Sequence, residues 1–359
     1  MKLAIQIIII ILLVILGIFA VISLAKAPYY NNYNRLKIVA APPADLIVTE
    51  PASPPKISLL FGGDVMLSRV VGQKMVKYQD YAWPFKKIAS TTLAADYFVV
   101  NLESPFTLNS KNYFVPTGSF SFNADPQSIA GLKLAGVDLV SLANNHILNQ
   151  GTRGLTDTIK VLQENQIDFA GAGDNLTAAH QGVIKEIKGV KFGFLSYAYP
   201  DDNTVATGNK AGIANMDLAL LKNDLSRFRP IVDVLIVIMH AGSEYTASPS
   251  GQQKQFAYAA ISGGADLVVG HHPHWAQTTE IHQGKPIIYS LGNLVFDQMW
   301  SKETAEGALA EIKFSSTTLK QIKIIPVQIE NYGQAEIATT AAKNILKRMG
   351  LGSDLLLPD

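Results

Sequence analysis

The chain has 359 residues, contains no cysteine and carries 30 basic against 29 acidic residues. The lack of cysteine excludes disulfides, thiolate catalysis and cysteine-ligated zinc. The balanced charge gives no reason to expect a nucleic acid as partner. A hydrophobic content of 48% is enough for a well-filled core, and the length allows one large domain or two ordinary ones.

The chain begins with an apolar segment. Residues 3–25 carry no charge, consist mostly of Ile, Leu and Val, and are numerous enough to cross a bilayer as a helix. Signal-peptide cores are shorter, about 7–15 residues, so we predict an uncleaved transmembrane anchor over residues 1–26. The sequence Ala25-Lys26-Ala27 also fits a cleavage site, and a processed signal is the alternative.

A polar, proline-rich segment follows at residues 27–56. Proline is excluded from helix interiors, so we expect an extended stalk that holds the globular part off the membrane. The alternative is an irregular first piece of the domain. Lys2 precedes the apolar run, whereas Lys26, Arg35 and Lys37 follow it. Counted locally, the positive-inside rule therefore does not support an outside location for the rest of the chain.

From Ile57 onward, apolar strands alternate with helical patterns, which is typical of an α/β domain. The predicted strands are 57–62, 97–101, 137–142, a short one from 168, 190–197, 232–239, 265–269, 286–290, 308–314 and 319–328. The predicted helices are 128–134, 154–163, 251–261 and 338–349. We expect one domain over residues 57–335, followed by a C-terminal helix and tail over residues 336–359.

Polar residues that can bind a metal recur where these strands end, and open sheets bind ligands at the carboxyl ends of their strands. They are Asp64, Glu103, Asn144-Asn145-His146, His240 and His271-His272-Pro273-His274. The last run is the strongest signal, because it holds three of the seven histidines and neutral imidazole is the commonest side-chain metal ligand. Taken singly, the others are more often turns or structural residues.

Together these residues offer carboxylates, an amide oxygen and imidazoles. Because Ca²⁺ takes oxygen ligands only, this mixed set favours Mn²⁺, Fe or Zn²⁺. The sequence therefore predicts a site for one or two divalent ions.

Six short motifs follow one another over about residues 57–330. They are Gly62-Gly63-Asp64-Val65-Met66, Asn101-Leu102-Glu103-Ser104-Pro105, Ala143-Asn144-Asn145-His146, His240-Ala241-Gly242-Ser243-Glu244-Tyr245, Gly270-His271-His272-Pro273-His274 and Tyr289-Ser290-Leu291-Gly292-Asn293. This set resembles the CapA family of capsule and poly-γ-glutamate synthesis proteins, also called PgsA, which are similar to calcineurin-like metallophosphoesterases. The resemblance implies a four-layer α/β/β/α sandwich with metals at the strand ends.

The resemblance also implies a role for each matching residue. The metal ligands would be Asp64, Glu103, Asn145, His240, His272 and His274. Glu103 stands where the phosphoesterases have the carboxylate that bridges two metals, and His146 would protonate a leaving group or stabilise developing charge. Whether His271 replaces His272 as ligand stays open. The residues expected to touch substrate or support the ligands are Asn144, His271, Glu244, Tyr245 and Asn293.

Three positions depart from the family patterns. Met66 stands where phosphoesterases have a histidine ligand, and a thioether is a poor ligand for a hard cation. Glu103 is one methylene longer than the usual aspartate. Asn149 replaces an aspartate common in CapA-like chains, which weakens the expected support of His146. We therefore expect one firm metal and a weaker second one.

Two functions fit these features. One is a membrane-anchored protein, outside the cytoplasm, that helps a synthase or export complex assemble, export or retain an anionic surface polymer. The other is an active metal-dependent hydrolase or transferase acting on a phosphate ester or amide of an envelope polymer. Met66 favours the first, and the location outside the cytoplasm depends on the resemblance. Arg69 and Arg153 are further candidates for holding an anionic polymer, although such arginines are usually solvated or paired.

Overall fold

The computed structural model describes residues 53–107, 120–199 and 204–350, together with the backbone of residues 354–356. The predicted anchor over residues 1–26 and nearly all of the predicted stalk lie outside the described residues. Within the ranges described, no helix is long and apolar enough to span a bilayer.

The described chain alternates between strands and helices. The strands are β1 (Lys56–Val65), β2 (Tyr97–Leu102), β3 (Leu139–Ser141), β4 (Asp168–Ala170), β5 (Ala172–Gly173), β6 (Val183–Ile187), β7 (Val190–Ala198), β8 (Gly212–Ile213), β9 (Val234–His240), β10 (Leu267–His271), β11 (Thr279–His282), β12 (Lys285–Ile288), β13 (Asn293–Val295), β14 (Glu306–Ser315), β15 (Thr318–Glu330), β16 (Gln334–Ile337) and β17 (Asp354–Leu356). The α-helices are α1 (Arg69–Tyr78), α2 (Ala89–Thr92), α3 (Ile129–Leu134), α4 (Gly151–Glu164), α5 (Leu176–Ala179), α6 (Leu218–Phe228), α7 (Gly251–Ser262) and α8 (Ala342–Met349).

These strands form two large sheets. The first has the order β16-β15-β14-β1-β2-β3-β4, with β13 beside the end of β1 and β17 beside β15. The second has the order β11-β12-β10-β9-β7-β6. β1 to β4 are parallel to one another, and so are β12, β10, β9 and β7. The parallel strands of each sheet therefore end along a common edge.

Side chains on each central strand alternate between two cores, because successive residues of a strand point to opposite faces. In β2, Phe98 and Val100 pack with residues of α1, α3 and α4, whereas Tyr97 and Val99 pack between the two sheets. β9 alternates in the same way between the inter-sheet core and a third core that contains α6 and α7. Three cores separate four layers, so the expected α/β/β/α sandwich is observed.

The sequence pattern does not predict α1, α2, α5, α6, β5, β6, β8, β11, β13, β16 or β17. β6 lies at the edge of its sheet with three exposed residues at its centre, so it lacks an apolar alternation. α6 does carry a start signal, because the Asp217 side chain accepts from the backbone N–H groups of Ala219 and Leu220. The terminal helix begins at Ala342 rather than at residue 338.

A close approach at Gly63 fixes the end of β1. A Cβ atom on Gly63 would lie 1.9 Å from the carbonyl oxygen of Gly292, which accepts the N–H of Asp64 at 2.9 Å. We therefore expect Gly63→Ala to lower the free energy of unfolding by about 3 kcal/mol. This value is at the upper end of the usual destabilisation when extra atoms are forced into a packed site. Urea unfolding measures this loss. Gly208→Ala is the control, since its Cβ would meet no atom within 4 Å; equal losses in both variants would contradict the steric explanation.

Candidate metal centre

The ends of parallel strands bring the predicted polar residues together. Asp64 lies near the end of β1, His240 ends β9 and His271 ends β10. Strand pairing places Asp64 beside Asn101 and His240 beside His271. Across the two sheets, ligand atoms of Asp64, Glu103 and His240 lie within 4.8 Å of one another, and all three residues are buried.

One close group of metal-capable side chains consists of Asn145, His240 and His272. His240 Nε2 lies 2.9 Å from Asn145 Oδ1 and 3.1 Å from His272 Nδ1. His272 adopts a left-handed backbone conformation with φ of 96°, which is uncommon and costs energy for a residue other than glycine. An amide oxygen with two imidazole nitrogens suits a transition-metal ion.

The two buried carboxylates differ in their preferred ionisation. Burial opposes the charge of Asp64, but contacts with His271 and His274 outweigh it and hold the pKa of this carboxyl well below its usual value. Burial and the negative charge of Asp64 raise the pKa of Glu103 well above its usual value. A cation beside Glu103 would lower the pKa of this carboxyl again and favour its ionised form.

Glu103 Oε1 is a buried acceptor without a hydrogen-bond partner among the described residues. The Nε2 atoms of His146 and His274 each lie 3.8 Å from this oxygen. The contacts of the other ring nitrogen, Nδ1, with two asparagine amides indicate where each ring carries its proton.

Two asparagines determine which tautomer the neutral form of each ring adopts. Asn293 Nδ2 donates to the backbone oxygen of Thr304, so Asn293 Oδ1 accepts from His274 Nδ1 at 2.9 Å. Asn149 Oδ1 accepts from the backbone N–H of Phe122 and lies 2.9 Å from His146 Nδ1. In the neutral form of each ring, Nε2 therefore carries a lone pair that faces Glu103 Oε1. Three acceptors around one position are unfavourable without a cation or a proton, so these residues fit a metal ion.

The imidazoles of His146 and His272 are neutral at neutral pH. Burial, above all, lowers the pKa of each to about 4. The His146 ring also lies against Phe122, with ring centroids 4.0 Å apart. Neutral imidazole is the form that binds metals, so neither ring has to lose a proton before binding.

Asn101 occupies the centre of the site, although the sequence did not identify it as a site residue. Its Nδ2 donates to Asp64 Oδ1 at 2.8 Å and lies 3.3 Å from Glu103 Oε2 and 3.2 Å from His240 Nδ1. Residues two apart on a strand share a face, so the position of Asn101 two before Glu103 was the signal that could have found it.

Three supporting residues lie behind the ligands. Asn144 Nδ2 donates to the Leu102 backbone oxygen at 2.8 Å, and its Oδ1 accepts the His146 N–H at 3.1 Å. His271 is buried, with Nδ1 3.4 Å from Asp64 Oδ1. His271 thus contacts Asp64, Asn293 contacts His274 and Asn144 contacts His146. His272 contacts His240, which in turn contacts Asn145.

The loop after β9 forms one wall of the site. The Tyr245 ring stacks against His274 with centroids 6.0 Å apart, and its hydroxyl accepts from Gln298 Nε2 at 3.3 Å. Burial raises the pKa of Tyr245 above its usual value, so the hydroxyl keeps its proton. Glu244 is exposed beside it. Trp300, which the sequence did not single out, is 61% exposed and packs edge-on against Tyr245.

Met66 and the two arginines have other surroundings. Met66 is fully buried in the core that contains α1 and α4, and its sulfur accepts the Ser68 N–H. Arg69 forms a buried ion pair with Asp297, and Arg153 is an exposed residue 3.7 Å from Asp157. These pairs give no support to either arginine as a contact for an anionic polymer.

The layers and the strand-end residues define a four-layer sandwich protein with a candidate metal site. Within that class, the chain belongs to the family described as bacterial capsule synthesis protein PGA_cap, whose model matches residues 58–298.

Named relatives agree with this family. The chain is 30% identical over 300 residues to the capsule biosynthesis protein CapA of Bacillus anthracis, covering 82% of this chain and 72% of that protein. It is 29% identical over 289 residues to the PGA biosynthesis protein CapA of Bacillus subtilis, covering 80% and 75%. A probable polyglutamine synthesis accessory protein of Mycobacterium tuberculosis is 28% identical over 290 residues, covering 68% and 76%.

Solved structures are more distant. A hypothetical protein from Thermus thermophilus gives a TM-score of 0.49 at 16% identity, covering 76% of this chain and all of that chain. A 5'-nucleotidase precursor from the same organism gives 0.46 at 12% identity, covering 80% and 55%. Both scores lie below 0.5, so the fold rests on the layers and topology described above.

Proposed function

We propose that this chain is a membrane-anchored protein, outside the cytoplasm, that serves the assembly, export or retention of an anionic capsule polymer such as poly-γ-glutamate, and that a divalent metal takes part in this role. The family and the relatives named for capsule and PGA biosynthesis support the polymer role. The metal part is carried by the contacts of His240 Nε2 with Asn145 Oδ1 and His272 Nδ1 at 2.9 and 3.1 Å.

The residues present would hold one ion firmly and a second one less firmly. Asn145, His240 and His272 would bind the firm ion together with Glu103. Asp64 and His274 would supply donors for the weaker one, which gains nothing from the buried Met66. When bound, such an ion acts as a Lewis acid and lowers the pKa of a bound water. The chain's own part is to orient His274 through Asn293 and to exclude bulk water from Glu103.

The second candidate function is hydrolysis or transfer at a phosphate ester or amide of an envelope polymer. The observation that favours it is the placement of His146 by Asn149 and Phe122, with Nε2 towards Glu103. A neutral ring with a lone pair on Nε2 accepts a proton there. It donates to a leaving group only after it has gained one.

The metal content of the purified protein tests both candidates. We expect one or two transition-metal ions per chain when the full chain is purified in non-ionic detergent without chelator and examined by elemental analysis. That result would justify a screen of phosphate-ester and amide substrates. If no ion binds even after soaking in Mn²⁺ and Zn²⁺, the metal part and the hydrolase both fail, and the accessory role alone stands.

The location outside the cytoplasm can be tested by labelling, because the chain contains no cysteine. The Lys160 side chain is 72% exposed, so we expect Lys160→Cys to react with a membrane-impermeant maleimide on intact cells. Ala257→Cys, at a fully buried position, is the control that reacts only after denaturation. Labelling of Lys160→Cys only after cell lysis would place the domain inside the cell.

A further inference from the structure

A second concave site lies at the opposite pole of the sheets. A cavity of about 550 Å³ at the start of β1 is lined by Lys56, Lys188, Lys313 and Lys320. Asp64 is eight residues further along the same strand, which corresponds to about 26 Å. The cavity is therefore separate from the metal site, and we call it the lysine groove.

Basic residues outnumber acidic ones in the described lining of the lysine groove. Asp96 is the single acid among these lining residues, so four lysines and one aspartate give the lining a formal charge of +3. Lys188 Nζ lies 2.7 Å from Asp96 and donates to the Lys56 backbone oxygen at 3.0 Å, which holds one ammonium group at the cavity wall. Lys313 lies 3.4 Å from Glu311, a residue outside the lining. The groove is thus locally basic in a chain whose formal net charge is only +1.

The groove also has apolar surface. Ile57, Ala94 and Phe314 line it beside the lysines. Ammonium groups next to apolar side chains match a polymer whose repeat combines a carboxylate with a short methylene segment, as a γ-linked glutamate chain does. A concave site accommodates a single extended chain, whereas a membrane surface is better matched by a basic segment that lies along it.

We propose that the lysine groove binds the acidic polymer, independently of the metal site. The identity of the polymer, a polycarboxylate, rests on the proposed function, whereas the preference for an anionic chain follows from the lining. The ligand is a carboxylate-bearing chain held by several weak ion pairs, so its affinity falls as salt rises.

Binding of a fluorescein-labelled poly-γ-glutamate oligomer to the full chain in non-ionic detergent tests this inference. Fluorescence anisotropy gives the Kd at low salt and at about 0.15 M salt, where exposed charges further apart than roughly 8 Å are screened. The groove variant is Lys56→Gln with Lys313→Gln and Lys320→Gln, which keeps the Lys188–Asp96 pair. The control is Lys160→Gln with Lys222→Gln and Lys343→Gln, which removes the same charge at positions outside the groove.

We expect the groove variant to raise the Kd about tenfold at low salt and the control variant to change it little. Equal weakening by both variants would overturn the inference, since binding would then follow net charge alone. The inference also fails if the groove variant no longer binds phosphatidylglycerol vesicles but still binds the polymer as the wild type does. His272→Ala separates the two proposals: if this variant loses the polymer while the groove variant keeps it, the metal site holds the polymer and the groove does not.

Discussion

His272→Ala is expected to remove most of the bound metal while the fold stays intact. The substitution takes away Nδ1, which lies 3.1 Å from His240 Nε2, and leaves the site with one imidazole fewer. Removing a residue that only hydrogen-bonds to a metal ligand lowers the metal affinity about 10–100-fold. Removing the ligand itself should therefore lower the metal affinity at least about 100-fold. Elemental analysis and competition with a metallochromic dye measure the effect.

His282→Ala is the matched control for this experiment. His282 belongs to β11, and its ring stacks on Tyr258 with centroids 3.9 Å apart. Its loss should leave metal content unchanged. If His272→Ala also bound metal as the wild type does, the Asn145–His240–His272 group would not be the site. His271→Ala would then decide whether the neighbouring imidazole is the ligand.

The sequence predicted the strand ends of this site well, for a physical reason. Asp64, His240 and His271 follow long apolar runs, and buried parallel strands are recognisable as such runs. The carboxyl ends of parallel strands meet at one edge, so polar residues after several strands had to lie near one another. The four-layer arrangement came from the resemblance, because strand order and the pairing of two sheets depend on contacts between distant parts of the chain.

Other parts of the site had no local signal. Gln298 and Trp300 reach Tyr245 only because the segment after β13 folds back over the loop after β9. Met66 was recognised as a poor ligand, but its place in the helix-facing core depends on the packing of α1 and α4. Asn149 and Asn293, the amides behind His146 and His274, differ from these residues because the resemblance had singled them out.

Asn101→Ala is expected to destabilise the metal-free protein by about 3 kcal/mol or more. The Asn101 amide supplies its two protons to buried acceptors on Asp64 and Glu103. Each buried polar group left without a partner costs about 1–3 kcal/mol. Differential scanning calorimetry in the presence of a chelator should therefore show a clear fall in Tm.

Bound metal should restore much of this loss, because a cation between the carboxylates takes over the stabilising role of the amide protons. The Tm gain on adding Zn²⁺ or Mn²⁺ should consequently be larger for Asn101→Ala than for the wild type.

Asn175→Ala provides the control. It removes the cap of α5, where Asn175 Oδ1 accepts the Ala178 N–H at 3.0 Å, and should cost about 1 kcal/mol with or without metal. If metal stabilised Asn101→Ala no more than it stabilises the wild type, the acceptors around Asn101 would not face the ion. The amide would then belong to a structural hydrogen-bond network beneath the metal site.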